Sequence, residues 1–461
     1  MVRTRGSIGK KKKGPVKVIT YGTFDLFHEG HRRILERAKE LGDYLIVGVT
    51  TDHFDEGRGK LNTVDSIVTR IENVKATGYA DEIIVEDHEG QKIEDIQKYG
   101  VDIFVEGSDW RGYFDYLKQY CRVEYLERTP NISSTQKRND RLRVISIGIV
   151  GTGRIAPRFF EEARYVSGAQ VTCAYNPTGD DTADIFRVRC QCPVETGEYM
   201  KFLSKVDAVY IASPNETHYD YAKRALNVGK HVLCEKPLAF TVKESEELYE
   251  LAEKKNVVLL EGIRTAYLPG FQQLINVAHS GVIGKIIDVE AAFTRLADPK
   301  SREMTDAKYG GAFLEFGSYT LLPIFKILGI GFNDIRIDSI KDEKTGIDRY
   351  TKVRLKYDNA MATSKTGAGV KSEGQLVVSG TKGYILAQSP WWLTSSFDVR
   401  YEDATKVDHY ESSFKGDGYR YEINEFITKI NNTGGITYKL TPEESIAMAE
   451  VVETFMETRK K

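Results

Sequence analysis

The chain has 461 residues, of which 41 % are hydrophobic and 29 % charged, with a formal net charge of −2. This is the composition of a folded globular protein and excludes collagen-like and disordered chains. At about 150 residues per domain, the length predicts roughly three domains. No stretch approaches the ~20 uninterrupted apolar residues of a membrane-spanning helix, so no membrane partner is expected. The five cysteines (Cys121, Cys173, Cys190, Cys192 and Cys234) are sparse and odd in number. With no apolar signal segment ahead of them, they predict a reducing, cytoplasmic setting and not a disulfide framework.

Residues 1–14 combine Gly with Arg3, Arg5 and Lys10 to Lys13 and lack apolar periodicity, which predicts a flexible basic tail. Without those charges the body is more acidic than the net value, so no nucleic-acid partner is expected. Short apolar strands are predicted at 16–20, 45–49, 82–85, 102–105 and 123–126, with amphipathic helices between them and a helical run from His31 to Leu41. Strands alternating with helices imply a parallel sheet covered on both faces. The segment Gln136 to Arg143 is polar and basic and marks a boundary. A second alternating series follows, with strands predicted at 144–150, 170–174, 208–212, 231–234 and 257–260. After residue 265 the texture changes to segments (286–296, 334–340, 350–357, 360–366, 373–379, 383–387) expected to be antiparallel strands, closed by a helix over 441–457 with Glu443 and Glu444 in its first turn. The expected fold class is α/β: two tandem units, an N-terminal Rossmann-like unit and a C-terminal dinucleotide-binding Rossmann domain followed by an α+β, mainly antiparallel sheet domain. The expected domains are a tail over 1–14 and globular parts over 15–138, 143–264 and 265–461.

Between the first strand and first helix lies Gly22-Thr23-Phe24-Asp25, then His28-Glu-Gly-His31. In an open parallel sheet ligands bind beyond the carboxyl ends of the strands, and a helix N-terminus there favours an anion. Two imidazoles three residues apart can both donate to a phosphoryl group as charge builds on it. A surface turn is the plainer alternative, and a zinc site is disfavoured because the spacing is one shorter than H-E-x-x-H. The segment resembles the HxGH signature of the cytidylyltransferases, and the first ~138 residues look similar to glycerol-3-phosphate cytidylyltransferases. Three further stretches carry the resemblance: Gly107-Ser-Asp109-Trp110 after the fourth strand; Arg128-Thr129-Pro-Asn131-Ile132-Ser133-Ser134, where the family has RTxGIST with Gly at the Asn131 position; and Arg58, Lys60 and Arg70 in a basic region that in the family faces phosphates. The resemblance implies catalytic roles for His28, His31 and Lys60. It implies CTP binding by Gly22, Thr23, Phe24, Asp25, Gly107, Asp109, Trp110, Arg128, Thr129, Ile132, Ser133 and Ser134. Mg²⁺ is expected with CTP, bridging phosphate oxygens, with no protein metal ligand named.

Gly151-Thr152-Gly153-Arg154-Ile155-Ala156 follows an apolar strand and opens a helix, the arrangement of a dinucleotide turn. The ribose position carries neither the acid expected for NAD nor the Arg expected for NADP. It reads Tyr175-Asn176-Pro-Thr178 with Asp180 and Asp181 further on, so NAD and NADP both stay open. Ser213-Pro214-Asn215 with His218, and Glu235-Lys236-Pro237, then resemble the glucose–fructose oxidoreductase and inositol dehydrogenase family, over residues 143–460. The resemblance implies that Lys236 lies beside the nicotinamide. A partly desolvated Lys there is expected to have a pKa lowered towards neutrality. Gly310 to Tyr319 matches the family's second catalytic segment, with Glu315 in place of Asp and Tyr319 as acid or base. Arg264, Tyr267, Glu315 and Tyr319 are the expected substrate residues, with Arg264 a candidate for a substrate phosphate. Cys190 and Cys192 are read as structural.

Together the resemblances imply a bifunctional enzyme that reduces a keto-sugar phosphate and then makes a CDP-polyol, acting on CTP and a small sugar or polyol phosphate, for teichoic-acid-like or capsular polymers. Two alternatives stay open: the oxidoreductase half acts on a CDP-linked sugar, or it is a non-catalytic binding module. Self-association into a homo-oligomer is expected from both families.

Overall fold

The computed structural model describes residues 14–51, 54, 65, 67–88, 90–127, 143–431 and 439–459. Contacts divide the chain into two units, 1–142 and 143–461. Among the described residues no helix is long and apolar enough to cross a membrane.

The first unit is built on β1 (Lys17–Gly22), α1 (Glu29–Lys39), β2 (Tyr44–Thr50), α2 (Ile67–Ala76), β3 (Glu82–Glu86), α3 (Gln91–Tyr99), β4 (Ile103–Gly107) and β5 (Arg122–Leu126). The strands pair in parallel in the order β3-β2-β1-β4-β5. β1 and β2 are apolar on both faces because helices cover both: Val18, Leu45 and Val47 pack with Leu35 and Val74 on one side, Ile19 and Ile46 with Ile96 and Phe114 on the other. The strand order reverses at β1 and β4, so the crevice beyond Gly22 and Gly107 is where a ligand is placed. The helix expected from His31 begins at Glu29, because His28 caps it.

The second unit opens with β6 (Ile145–Val150), α4 (Ala156–Ala163), β7 (Ala169–Tyr175), α5 (Asp181–Cys190), β8 (Val194–Glu195), α6 (Tyr199–Leu203), β9 (Ala208–Ile211), α7 (His218–Asn227), β10 (His231–Glu235), α8 (Val242–Lys255) and β11 (Leu259–Gly262). These strands form a parallel sheet in the order β11-β10-β9-β6-β7-β8, reversing at β6 and β9. The two-residue β8 was not anticipated; it is too short to show alternation.

The chain continues through β12 (Ile286–Arg295), preceded by α9 (Pro269–His279), to α10 (Arg302–Thr305) and α11 (Ala312–Leu328). There follow β13 (Asp334–Lys341), β14 (Asp348–Lys356), β15 (Met361–Ala368), β16 (Leu376–Gly380), β17 (Tyr384–Ala387), β18 (Ser396–Arg400), β19 (Val407–Glu411), α12 (Tyr419–Asn431) and α13 (Pro442–Arg459). An eight-stranded sheet runs β13-β14-β15-β12-β16-β17-β18-β19. It is mainly antiparallel, as expected, with β12 and β15 pairing in parallel from Asp288↔Met361 to Arg295↔Ala368. Side-chain alternation encodes which face is buried but not the direction of the neighbouring strand. β18 and β19 were also missed: they end the sheet, and β19 buries neither face, so its sequence reads as a polar loop.

Candidate active sites

At the end of β1 the backbone is bent by Phe24 (φ 53°) and Leu26 (φ 47°), both left-handed, a conformation that costs energy for residues with a Cβ. Gly22 lies against this bend, where an added Cβ would meet the Phe24 ring at 3.0 Å. Arg70 holds the bend in place. It is fully buried, and its guanidinium donates to the carbonyls of Thr23 and Thr50 at 2.8 Å and of Asp65 at 3.0 Å. The sequence expectation that Arg70 faces phosphate is therefore corrected: a Lys- and Arg-rich stretch does not reveal which cation turns inward. Asp25 is 1 % exposed and accepts from the Asp65 amide.

His28 caps α1, its Nδ1 accepting from the His31 amide at 3.2 Å. An accepting Nδ1 puts the proton of the neutral ring on Nε2. The two imidazoles stack, with centroids 3.8 Å apart and planes within 12°, and Phe24 meets His31 edge-on at 5.5 Å. Gly107 ends β4, the strand beside β1, and leads into a single 3₁₀ turn over Ser108–Trp110. Trp110 is 42 % exposed, with its ring packed beside Tyr113 and Phe114 at 5.3 and 5.9 Å between centroids. Lys60, Arg128, Thr129, Ile132, Ser133, Ser134 and the Asp109 side chain lie outside the described residues, as does Arg58. Sequence reading missed the pair Glu86 and Lys92. Both are buried, ion-paired, and line a cavity of about 380 Å³ with Tyr113 and Phe114. Lys92 is in the first turn of α3, where a Lys ordinarily faces water.

The second unit gathers its expected residues around two adjoining cavities. One, of about 700 Å³, is lined by Gly151, Thr152, Gly153, Arg154, Ile155, Asn176, Ser213, Pro214 and Asn215. Gly151 has φ +95°, and a Cβ there would lie 2.7 Å from the Ala212 carbonyl, so the tight turn requires glycine. A Cβ on Gly153 would meet nothing within 4 Å. Packing does not demand that glycine, and the open space fits the close approach of a pyrophosphate to the backbone. Asn176 is buried, donating to Thr152 Oγ1 at 2.7 Å and accepting at Oδ1 from Thr178 and Gly179. The residues present thus fit a dinucleotide.

The other cavity, of about 840 Å³, is lined by His218, Glu235, Lys236, Arg264, Glu315 and Tyr319 among others, and shares Arg154, Ser213, Asn215 and Glu315 with the first. Lys236 directly follows β10 and donates from Nζ to the Glu315 carbonyl at 2.8 Å and carboxylate at 3.4 Å. Its ammonium sits 5.6 Å from the Tyr319 ring centroid. Burial pulls the Lys236 pKa down, but Glu315, Tyr319 and Glu235 outweigh it, so the net shift is upward. This corrects the expectation of a lowered value: the sequence supplies the burial, while the fold supplies Glu315. Burial raises Tyr319 against the downward pull of Lys236 and Arg264, keeping its hydroxyl protonated. Glu235 accepts from the Tyr210 hydroxyl at 2.6 Å. The His218 ring nitrogens lie 2.8 Å from the Pro237 carbonyl and 2.9 Å from that of Ser213, pinning two loops of the site. Arg264 is 9 % exposed, stacked over Tyr419 and donating to the Asp417 carbonyl at 2.8 Å. Tyr267 departs from its expected place. It is 2 % exposed, its hydroxyl donates to the Glu261 carbonyl, and it lines neither cavity. Trp392, stacked on Phe293 at 3.6 Å, and Arg158 also line the second cavity and were missed; they arrive from segments far apart in sequence. Cys190 and Cys192 are buried thiols, and among the described residues no cluster of His, Cys, Asp or Glu is arranged to hold a metal ion.

Three family models match the chain: cytidylyltransferase-like over residues 19–140, the oxidoreductase family with NAD-binding Rossmann fold over 145–263, and the GFO/IDH/MocA C-terminal domain over 271–386. A glycerol-3-phosphate cytidylyltransferase of Bacillus spizizenii is 53 % identical over 124 residues, 27 % of this chain and 95 % of that protein. An NADP(+)-dependent scyllo-inositol 2-dehydrogenase of Bacillus subtilis is 27 % identical over 320 residues, 67 % of this chain and 95 % of that one. Among solved structures, a 3-ketoreductase from Actinomadura kijaniata in complex with NADP and TDP-benzene superposes with TM-score 0.58 at 23 % identity, over 67 % of this chain and 96 % of that one. A levoglucosan dehydrogenase in complex with NADH and levoglucosan does so with TM-score 0.60 at 16 % identity, over 68 % and 97 %. The chain therefore belongs to two families at once, a cytidylyltransferase-like domain homologous to glycerol-3-phosphate cytidylyltransferases fused to the NAD(P)-binding and C-terminal domains of a GFO/IDH/MocA oxidoreductase.

Proposed function

We propose that the chain makes a CDP-polyol in two consecutive steps: reduction of a keto-sugar phosphate to a polyol phosphate, then transfer of CMP from CTP to that phosphate. The observation that supports this reading is a tyrosine, a lysine and a buried guanidinium lining one cavity. Tyr319, with the Lys236 ammonium 5.6 Å from its ring, shares one cavity wall with the buried guanidinium of Arg264. The reduction supplies what the transferase consumes, an alcohol bearing a phosphate. Polymers of the teichoic-acid or capsular type would use the product.

NAD(P)H held at the Gly151 turn would supply a hydride for the carbonyl carbon. Tyr319 gives its hydroxyl proton to the carbonyl oxygen, and the Lys236 ammonium stabilises the phenolate left behind. Arg264 holds the substrate phosphate, and Gly151 to Ile155, Asn176, Ser213, Pro214, Asn215, His218, Glu235 and Pro237 form or support the cofactor site. In the transferase, a phosphate oxygen of the polyol phosphate attacks the α-phosphorus of CTP, and the bond to pyrophosphate breaks. His28 and His31 donate hydrogen bonds to the phosphoryl oxygens as charge grows on them. Gly22, Thr23, Phe24, Asp25, Gly107, Asp109 and Trp110 shape the cytidine pocket. Lys60, Arg128, Thr129, Ile132, Ser133 and Ser134 would hold the triphosphate, and Mg²⁺ bound with CTP would offset its charge.

The test presents the full chain with NAD(P)H and a panel of keto-sugar phosphates, then adds CTP and follows pyrophosphate. Oxidation with one sugar phosphate, followed by CTP-dependent pyrophosphate release, supports the order. Oxidation that begins only once CTP has been consumed reverses it and makes a CDP-linked sugar the reductase substrate. His28→Ala is expected to abolish pyrophosphate release and leave NAD(P)H oxidation intact; loss of both in a folded protein refutes two separate sites.

A further inference from the structure

We propose that the dinucleotide site selects NAD(H) over NADP(H) and that Asp180 makes the selection. The proposal rests on the dinucleotide reading of the cavity around Gly151, which places the adenosine ribose at the carboxyl end of β7, the second strand of the unit. The wall there consists of Asn176, Pro177, Thr178, Asp180 and Thr182, continuous with the glycine turn.

Asp180 caps α5, and its two oxygens are used unequally. Oδ1 accepts from the Thr182 amide at 3.0 Å, the Thr182 hydroxyl at 2.6 Å and the Asn176 amide at 3.1 Å. Oδ2 accepts from the Thr178 hydroxyl at 2.7 Å and retains acceptor capacity for a sugar hydroxyl. Those same donors, Thr182 first, then Thr178 and Asn176, hold the carboxyl down at about 2, so it is ionised at any working pH. A 2′-hydroxyl has a proton to donate to this oxygen. A 2′-phosphate has none to spare and sets like charge against it.

The cations that would offset that repulsion are elsewhere. From residue 165 to 186 the chain has no Lys or Arg, and it carries Asp181 and Asp184 beside Asp180. The two arginines in the cavity wall face carboxylates: Arg154 lies 3.4 Å from Glu315 and 4.0 Å from Glu303, and Arg302 pairs with Glu216 and, at 3.0 Å, with Asp306. The position differs from the acid usual at the strand end itself. Asn176 occupies that place, and the carboxylate enters from the helix cap that follows.

The experiment titrates the full chain with NADH and with NADPH and reads Kd from quenching of protein fluorescence, without substrate or turnover. NADH is expected to bind at least about tenfold tighter than NADPH. In Asp180→Asn, which keeps a capping oxygen and removes the charge, the ratio is expected to fall to within about threefold. Thr178→Arg, which adds a cation beside the same ribose, is expected to favour NADPH. NADPH binding as tightly as NADH in the parent chain overturns the proposal, as does a ratio unmoved in Asp180→Asn. Binding of neither cofactor overturns the dinucleotide reading itself.

Discussion

Replacing Lys236 by Met keeps the length of the side chain and removes its charge. The ammonium lies 5.6 Å from the Tyr319 ring centroid, and its side chain is 11 % exposed. With the phenolate charge placed at the ring centre, a unit charge pair 5.6 Å apart at an effective dielectric constant of about 20 is worth about 3 kcal/mol, which corresponds to roughly a hundredfold in rate. That is the stabilisation a phenolate forming on Tyr319 loses in Lys236→Met. Because Lys236 pulls the Tyr319 pKa down against burial, the variant also moves the alkaline limb of the reduction to higher pH. Single-turnover loss of NAD(P)H absorbance, measured across pH, checks both effects, and cofactor Kd is expected to change by less than about threefold. Pyrophosphate release from CTP is expected to be unchanged. A variant that keeps more than about a tenth of the reduction rate, or that loses pyrophosphate release as well, refutes the assignment.

Arg70→Met in the first unit removes three hydrogen bonds to the carbonyls of Thr23, Thr50 and Asp65. At about 1 kcal/mol each it should destabilise that unit by about 3 kcal/mol in urea unfolding and weaken CTP binding, since the left-handed bend at Phe24 and Leu26 loses its clamp; unchanged CTP affinity would contradict the role assigned to Arg70. Burial pushes the Glu261 carboxyl up from 4.5 to about 7. Between those values the native state keeps a proton that the unfolded chain has released, so this group's contribution makes stability fall as pH rises from about 4.5 to 7, by about 3 kcal/mol in all. Glu261→Gln has no such proton. Its thermal midpoint should gain on the parent's across that interval and hold a constant lead above it, whereas parallel curves would show that Glu261 does not titrate this way.

Much of the molecule is legible in local sequence because the signals are local. Strands of the two parallel sheets announce themselves as apolar runs between amphipathic helices, and their ends differ from the expected ones by one or two residues. Gly151 is readable because a tight turn after a strand needs glycine, and His28 and His31 because three residues bring two rings onto one helix start. What the tertiary structure decided depends on partners delivered from elsewhere. Glu315 comes from 79 residues away to keep Lys236 charged. The carbonyls of Thr23 and Thr50, 47 and 20 residues away, turn Arg70 inward. β15 returns beside β12 in parallel although its alternation looks like that of its antiparallel neighbours. Periodicity along a chain records how deeply a residue is buried. The charge, direction and hydrogen-bond partner that meet it there are set by segments remote in sequence, and only folding brings those together.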